Sequence, residues 1–420
     1  MLWLGGPRMN VLATANTVTP SVSADALFPI TGAYDGHPSR IFRFGSRTSA
    51  PNVTADLELM SGTGGFESWS GGSPVGWTEV NSGTGAVTEE AVVVYEGTRA
   101  AALDLSGAGV ASIYRDVTVR PGQRLRITSA LSSDSAPGGC ILRIRNQDTG
   151  NYCGSAGVFL PSSQDFQAND ILGVGAYQAF STDITIEAFS VIQKPTTVIR
   201  LQIYNEVAAS TGYADAVYVS PAYNFVSIHG HNIDYRSAPT FRTSADNFSG
   251  AGTLRGTFSV QQPSMYIKLS ALCYDRYVRV LFADTNSEAS GAIYMGELVV
   301  GDASEFRSPA LPLQANYLDT QVRVSRRFGA PAVYGMGAHE LRSYPMSLRF
   351  ETVAERIAFM DEWRRTLGGY PVVVVPHSGD SHTDSLYGLP SEDLPHSWST
   401  TTYSTLSMTV EEMMHPLVTG

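Results

Sequence analysis

The residues best suited to chemistry lie in one short segment, His-Ser-Gly-Asp-Ser-His-Thr-Asp at positions 377–384. His377, Asp380, His382 and Asp384 could ligate a metal ion, and Ser378 could serve as a nucleophile. Their spacing fits neither the H-E-x-x-H motif nor the G-x-S-x-G motif. The segment is rich in turn-forming residues and follows an apolar run, so we interpret it as a surface loop.

A second histidine pair, His229 and His231, stands in the segment His-Gly-His-Asn. Alternate residues of a strand point to opposite faces, so this pair suits one metal ion poorly. We expect a structural role for both histidines and a turn at Asn232.

Aromatic side chains could bind sugar rings, whose C–H groups are apolar, while amide side chains could bind the hydroxyl groups. The candidates are Trp69, Trp77, Tyr114, Tyr152 and Tyr177, with Gln147, Asn151 and Gln178 as polar partners. Large aromatic residues more often pack in a core, and this alternative stays open for Trp69 and Trp77.

The composition favours β-structure and argues against some partners. Charged residues make up only 16% of the 420 residues, and 40 glycines and 22 prolines supply turns for many short strands. The net charge of −11, without any run of Lys and Arg, disfavours binding to nucleic acid or to an anionic membrane surface. The length predicts two or three domains.

The first residues and the cysteines give expectations about the compartment. Gly-Gly-Pro-Arg interrupts the first apolar residues, so we expect neither a signal peptide nor membrane insertion. Three cysteines do not make a disulfide framework. Cys140 and Cys153 flank a predicted hairpin and could pair, but we favour free thiols, as is typical of a reducing compartment.

Short alternating segments predict many strands between residues 64 and 223, at the intervals of an antiparallel sandwich or jelly roll. They include segments 91–97, 101–106, 111–119, 124–133, 140–146, 183–192, 198–205 and 215–223. The segment at 52–59 also alternates, and we expect its partner to be the strand that begins at Phe225.

One helix is predicted at 353–367, where apolar residues recur every three to four positions. Val353, Ile357 and Met360 would lie on its buried face, and Thr352 with Glu355 would form a capping box. The apolar run Tyr-Pro-Val-Val-Val-Val-Pro at 370–376 then predicts a strand that is buried on both sides, and the segment 403–414 predicts a final alternating strand.

The segment 64–223 resembles carbohydrate-binding modules of the family 4 and 9 type. The residues that carry the resemblance are Phe66, Glu67, Trp69, Pro74 and Trp77 at its start, and Asp215 just before the end. In such modules, acidic residues near the two chain ends often hold a structural calcium ion. The resemblance therefore implies a jelly roll and a possible structural calcium site at Glu67 and Asp215, and it implies no other cofactor.

The flanking segments resemble a discoidin-like (galactose-binding-like) sandwich that has been split, and the C-terminal part resembles tail-tip proteins of tailed phages. The segments Tyr-Asp-Gly-His-Pro-Ser-Arg-Ile-Phe-Arg-Phe at 34–44 and Phe-Val-Ser-Ile-His-Gly-His-Asn-Ile at 225–233 carry the first likeness. The helix with its neighbouring strands, up to the final Met-Thr-Val-Glu-Glu segment, carries the second. The basic segment 323–327 could contact an acidic face of another subunit or could be a solvated strand.

Together these patterns predict a mainly β protein with two β-sandwiches, one a jelly roll inserted in the other, and a small C-terminal α+β domain. The expected parts are an N-terminal arm (1–24), a split galactose-binding-like sandwich (25–61 and 224–305), the inserted module (62–223) and the C-terminal domain (306–420).

The resemblance implies a structural, non-enzymatic component of a tailed-phage virion, at the tail tip or baseplate, made in the host cytoplasm. Its partners would be other tail proteins, copies of itself in a ring, and host surface polysaccharide. Two alternatives stay open: a glycan-targeted hydrolase with an appended binding module, and a purely architectural decoration or spacer protein.

Overall fold

The structure, a computed structural model, confirms the expected fold class: the chain is mainly β, with β-sandwich domains and a small α+β part. The described residues are 2–5, 10–15, 17–21, 29–34, 42–44, 51–134, 139–154, 156–162, 165–167, 177–187, 196–233, 237–260, 264–282, 293–306, 316–319, 324–325, 332–333, 340–366, 372–375, 386–390, 396–398 and 404–412. The segment 377–384 lies outside these residues.

The strands up to residue 221 are, in chain order, β1 (Leu2–Gly5), β2 (Thr17–Pro20), β3 (Phe42–Arg43), β4 (Asn52–Asp56), β5 (Trp69–Ser70), β6 (Ser73–Pro74), β7 (Thr78–Glu79), β8 (Ser82–Glu90), β9 (Ala100–Val119), β10 (Arg124–Ser133), β11 (Ile141–Asn146), β12 (Tyr152–Cys153), β13 (Phe159–Leu160), β14 (Asp165–Gln167), β15 (Gln178–Thr185), β16 (Thr197–Asn205) and β17 (Ser210–Pro221).

The later strands are β18 (Tyr223–His229), β19 (Thr240–Ser244), β20 (Thr253–Thr257), β21 (Ser264–Cys273), β22 (Tyr277–Leu281), β23 (Tyr294–Met295), β24 (Glu297–Gly301), β25 (Ser304–Phe306), β26 (Asn316–Asp319), β27 (Val324–Ser325), β28 (Ala332–Val333), β29 (Glu340–Phe350), β30 (Val372–Val375), β31 (Leu386–Pro390), β32 (His396–Trp398) and β33 (Ser404–Glu412). The α-helix α1 spans Val353–Thr366, and short 3-10 helices span Val11–Thr14 and Ile30–Ala33.

The chain divides into two compact units. One is Leu57–Ala222 with Tyr274–Arg276, which we call the inserted unit, and the other is Met1–Asp56, Tyr223–Cys273 and Tyr277–Gly420. The predicted boundaries of the arm, the split sandwich, the module and the C-terminal domain stay predictions.

Strands β7 to β17 of the inserted unit form one hydrogen-bonded system in the order β13-β12-β11-β16-β9-β17-β10-β15. The long strand β9 joins its two halves, because its first part pairs with β8 and β17 and its second part pairs with β7 and β16. Side chains from both halves meet in one apolar core, which includes Leu103, Ile113, Ile127, Leu201 and Val217.

Four of the predicted strands in this unit need correction. The strand predicted at 183–192 is displaced, because β15 spans Gln178–Thr185 and residues 186–187 are not in a strand, while residues 188–192 lie outside the described residues. Residues 91–99 form a loop, in which Val92 is 90% exposed, although the apolar run there predicts a strand. Segments 101–106 and 111–119, predicted as separate strands, belong to the single strand β9. Apolar β-branched residues favour a strand only where they can be buried against neighbours, and in this loop they are not.

The entry and exit of the inserted unit lie side by side. The amide of Leu59 donates to the carbonyl of Val219, and the amide of Val217 donates to the carbonyl of Gly64. A Cβ at Gly64 would stand 1.6 Å from the carbonyl oxygen of Val217. Glycine is therefore required at this point of the motif, because the backbone of the exit strand leaves no room for a side chain.

The second unit contains a five-stranded sheet, β2-β4-β22-β19-β20, and a three-stranded sheet, β21-β18-β24. The expected pairing of the strand at 52–59 with the strand at Phe225 is wrong. Strand β4 pairs with β2 and β22, whereas β18 pairs with β21 and β24. Removing the insert makes β4 and β18 neighbours in sequence, but consecutive strands of a sandwich often belong to different sheets.

The C-terminal strands form an eight-stranded sheet in the order β25-β1-β30-β31-β33-β29-β26, with β32 beside β33. The strands predicted within 370–376 and 403–414 are present as β30, whose valines are all buried, and β33. The N-terminal strand β1 pairs with β25 and β30, so the start of the chain completes this sheet.

Helix α1 begins with the predicted capping box. The amide of Glu355 donates to Oγ1 of Thr352 at 3.1 Å, and Oε2 of Glu355 accepts the amide of Thr352 at 3.3 Å. The predicted buried face is wrong in part, because Val353 and Ile357 are exposed while Phe359 is fully buried. No helix in the described part of the chain combines the length and apolar character needed to cross a membrane.

Candidate functional site

One outer face of the inserted unit gathers aromatic, cationic and polar side chains. Strands β11 and β16 alternate apolar and polar residues: Leu142, Ile144 and Leu201 point into the core, so Arg143, Arg145 and Arg200 point outward. We call this surface the arginine face. Its members are Tyr114 and Asp116 of β9, Arg143 and Arg145 of β11, Tyr152 of β12, Asp165 of β14, and Arg200, Gln202 and Tyr204 of β16.

The strand register arranges these residues in two rows. The first row is Tyr152, Arg145, Arg200 and Asp116, each opposite the next on a neighbouring strand. The second row is Asp165, Arg143, Gln202, Tyr114 and Thr78. Neighbouring strands lie about 4.8 Å apart, so the four strands of the first row span roughly 14 Å.

The most buried ion pair of the arginine face joins Arg143 to Asp165. Nε of Arg143 donates to Oδ1 of Asp165 at 2.7 Å and Nη2 donates to Oδ2 at 2.9 Å. The hydroxyl of Tyr204 accepts from Nη2 of Arg143 at 2.7 Å and donates to Oδ2 of Asp165 at 2.9 Å. Burial opposes ionisation of Asp165, but these hydrogen bonds outweigh it and hold its pKa below the usual value. The triad is therefore a fixed, ionised element of this face.

A second bidentate pair fixes an aromatic ring. Arg200 donates to both carboxylate oxygens of Asp116 at 2.7 and 2.8 Å, and its guanidinium lies over the ring of Tyr114 at 3.8 Å from the centroid. Cation–π contact and ion pairing together hold this ring in one orientation. Gln202, opposite Tyr114, donates from Nε2 to Oγ of Ser112 at 2.9 Å.

Tyr152 is held in the same way, at the edge of the sheet. The guanidinium of Arg145 lies 5.3 Å from the centroid of its ring, and that of Arg143 lies 5.7 Å from it. Tyr114 and Tyr152 are both half-buried residues, so neither is enclosed in the core.

Asn151 and Gln147 belong to the turn that joins β11 to β12. Nδ2 of Asn151 donates to Oε1 of Glu187 at 2.8 Å, and Oε2 of Glu187 accepts from Asn146 and Thr149. Asn151 thus stabilises the turn with its amide group. Nε2 of Gln147 is buried and has no hydrogen-bond partner among the described residues.

The two tryptophans lie at the start of the inserted unit and do not form part of the arginine face. Trp77 is 7% exposed, packs on Phe66 with ring centroids 5.0 Å apart, and donates from Nε1 to the carbonyl of Thr63. Trp69 is half-buried against the core and donates to the carbonyl of Phe66 at 2.7 Å. A buried ring cannot stack on a sugar, so Trp77 is corrected to a core residue.

Tyr177 lies away from the arginine face, next to β15 in the other half of the unit. Its hydroxyl donates to the carbonyl of Val93 at 2.8 Å, and its ring lies 5.5 Å from that of Tyr95. Burial is the main reason why the pKa of Tyr177 lies above its usual value. Gln178, the first residue of β15, is half-buried beside it.

Glu67 and Asp215 both hold the loop 91–99. Oδ2 of Asp215 accepts the amides of Tyr95 and Glu96 at 3.0 and 2.9 Å. Glu67 accepts the amide of Thr98 at 2.8 Å and its hydroxyl at 2.7 Å. Burial raises the pKa of Asp215 to about 6, whereas the donors around Glu67 outweigh its burial and lower its pKa.

The groups around Glu67 and Asp215 are hydrogen-bond donors, which suit a carboxylate acceptor better than a bound cation. Every oxygen of Glu67 and Asp215 already accepts at least one hydrogen bond, including that from the amide of Ala216 to Oδ1 of Asp215. A calcium ion needs six to eight oxygen ligands. Among the described residues, no three His, Cys, Asp or Glu side chains cluster as metal ligands. The calcium site stays a prediction.

The remaining candidates have structural environments. Cys140 and Cys153 are buried free thiols, as favoured from the sequence, and burial raises the pKa of each to about 12. His229 is buried between the hydroxyl groups of Ser227 and Ser264, each 2.8 Å from a ring nitrogen. Asn232 accepts the amide of Tyr294, and His231 is buried.

Sequence reasoning found Tyr114 and Tyr152 but missed the arginines that hold them. The signal was present in Ile-Leu-Arg-Ile-Arg-Asn and Val-Ile-Arg-Leu-Gln-Ile-Tyr, where the polar residues alternate with core residues. The partners Asp165 and Asp116 come from distant segments, and only the register of the strands identifies them.

No protein-family model and no curated protein matches this chain. Among solved structures it is similar to the module TmCBM61, solved with beta-1,4-galactotriose, with 14% identity over 38% of this chain and 96% of that chain and a TM-score of 0.28. It is also similar to the CBM22-1 xylan-binding domain of Paenibacillus barcinonensis Xyn10C, with 14% identity, 35% and 85% coverage and a TM-score of 0.25.

A third similar structure is the enzymatically active domain of bacteriophage CBA120 tailspike protein 4, with 11% identity, 37% and 21% coverage and a TM-score of 0.26. At sequence identities of 11–14%, these similarities are similarities of fold alone. With TM-scores below 0.5, none of these similarities carries an argument about a ligand, an activity or a biological role.

Proposed function

We propose that the inserted unit binds carbohydrate through the arginine face. The observation that carries the proposal is the pair of half-buried tyrosines, Tyr114 and Tyr152, each with an arginine of the same face against its ring. Rings held in place before binding lose little conformational entropy when a sugar stacks on them. The carboxylates, guanidinium groups and amide between the rings can pair with sugar hydroxyls.

We further propose that the protein is a structural component of a tailed-phage virion, at the tail tip or baseplate, and that it attaches to host surface glycan during adsorption. This step rests on the resemblance of the segments 34–44 and 225–233 and of the C-terminal segment to parts of such proteins. Its partners would be other tail proteins and copies of itself in a ring. Repetition around a ring would make a weak single site sufficient, because linked sites raise the overall avidity.

Binding is tested with a glycan array probed by the full chain, followed by titration of the best glycan against Y114A and Y152A. A stacked ring contributes about 1 kcal/mol beyond its area, so we expect each variant to bind roughly five- to tenfold more weakly. Y95A is the matched control, because Tyr95 is an exposed tyrosine of the same unit outside the face. An empty array, or equal losses in all three variants, would contradict the proposal.

The virion location is tested by immunogold labelling of purified particles with antibody against this chain. We expect label at the tail tip, and label restricted to the capsid would contradict the assignment. We also propose that the chain is not an enzyme. Hydrolysis of the bound glycan that is lost in H377A and D380A would overturn this part.

A further inference from the structure

The charges of the arginine face are not balanced. Three arginines, Arg143, Arg145 and Arg200, share it with two aspartates, Asp116 and Asp165. Each aspartate is already bound in bidentate fashion by one arginine. One guanidinium is left over, in a protein whose net charge is −11.

The uncompensated group is Arg145. Its Nε donates to the carbonyl of Gly150 at 3.3 Å, and its plane lies near the ring of Tyr152. No carboxylate among the described residues forms an ion pair with it. The N–H groups of Nη1 and Nη2 are therefore not directed at an acidic side chain among the described residues.

The position of Arg145 makes this surplus costly. Arg145 lies directly opposite Arg200 on the neighbouring strand and two residues from Arg143 on the same face. Like charges placed opposite each other across strands destabilise a sheet. A bound anion would remove this repulsion, because it would supply the carboxylate that the described residues do not.

We infer that the arginine face binds an acidic saccharide and that Arg145 recognises the carboxylate of a uronic acid unit. The inference deepens the proposed function and rests on it. A guanidinium donates two parallel hydrogen bonds to a carboxylate, whereas a hydroxyl group cannot accept both. The ring of Tyr152 beside Arg145 places the stacked sugar next to this charge.

The experiment compares oligogalacturonate with its methyl ester, which has the same sugar backbone without the charge, in calorimetric titrations of the full chain at low salt. Alginate oligomers serve as a second uronate probe. We expect the free acid to bind about tenfold more tightly than the ester, since hydrogen bonds to charged groups are the stronger ones. Raising the salt concentration should reduce this difference.

Variants assign the effect to one residue. R145Q is expected to lose the preference for the free acid, and R145K to keep only part of it, because an ammonium group lacks the two-pronged geometry. R126Q is the matched control: Arg126 is a cross-strand arginine of the same unit, paired with Asp183 on β15, away from the arginine face. It should retain the preference, and R145K decides the question if R145Q does not fold.

The titrations distinguish a failure of the proposed role of Arg145 from a failure of carbohydrate binding, on which that role rests. Equal binding of acid and ester, or an unchanged preference in R145Q and R145K, would overturn the role of Arg145 while carbohydrate binding stands. Binding of neutral glycans on the array, without binding of either uronate, would also overturn the role of Arg145. If no saccharide binds at all, the proposed function fails together with the inference.

Discussion

The strength of the Arg143–Asp165 pair can be measured against a matched pair in the same unit. Arg126 and Asp183 form the same bidentate cross-strand contact, with N–O distances of 2.6 and 2.9 Å against 2.7 and 2.9 Å. The difference lies in the environment. The side chains of Arg143 and Asp165 are 27% and 18% exposed, those of Arg126 and Asp183 are 40% and 49% exposed, and only the first pair is bridged by Tyr204.

The expected magnitudes follow from this difference in exposure. Exposed pairs typically contribute about 0.2–1 kcal/mol, which we expect for R126Q combined with D183N. Hydrogen bonds to charged groups contribute about 1.5–3 kcal/mol when they are shielded from water. Allowing for the exposed quarter of Arg143, we expect a coupling energy of about 2 kcal/mol between R143Q and D165N, equivalent to a factor of about 30 in the opening equilibrium.

The assay is hydrogen–deuterium exchange on peptides of β11 and β16 for the first cycle and of β10 and β15 for the second. Exchange reports the free energy of local opening, so the two cycles can be compared within one chain. Equal coupling energies in the two cycles, or a smaller value for Arg143 with Asp165, would refute the reasoning from burial.

Three further predictions follow from the inserted unit. Gly97 and Gly71 both have positive φ, but a Cβ at Gly97 would stand 1.9 Å from Oε1 of Glu67 and would displace the carboxylate that accepts from the amide and hydroxyl of Thr98, whereas a Cβ at Gly71 meets nothing within 4 Å. G97A should therefore lower the thermal unfolding midpoint more than G71A, and equal shifts would refute this role of the Glu67 carboxylate. Cys140 and Cys153 should react with a thiol reagent only after unfolding, with identical masses before and after reduction, and a gain of two hydrogen atoms on reduction would reveal a disulfide. The pKa of the Asp165 carboxyl is lower in the folded protein than in the unfolded chain. The stabilisation by this group is therefore fully present above the unfolded pKa, near 4, and is lost as the pH falls through the folded pKa. The difference in hydrogen exchange between wild type and D165N should shrink below about pH 4, and a constant difference would contradict this prediction.

The sequence predicted some secondary-structure elements correctly and others wrongly. Alternation predicted β10, β11 and β16 within a residue or so, and the Thr352–Glu355 spacing predicted the helix start, because these signals depend on neighbours along the chain. The apolar run at 91–97 predicted a strand wrongly, since nothing in the sequence shows that its side chains have no surface to cover.

For the site, the sequence by itself determined which side chains leave the core: the period of two in β11 and β16 fixes Arg143, Arg145 and Arg200 on the outer face. The tertiary structure alone decided which partners they meet. Asp116 and Asp165 arrive on strands from distant parts of the chain, and a shift of register by one residue would turn them to the other face. The surplus charge at Arg145 is a consequence of that register, because it depends on which arginines the two carboxylates reach.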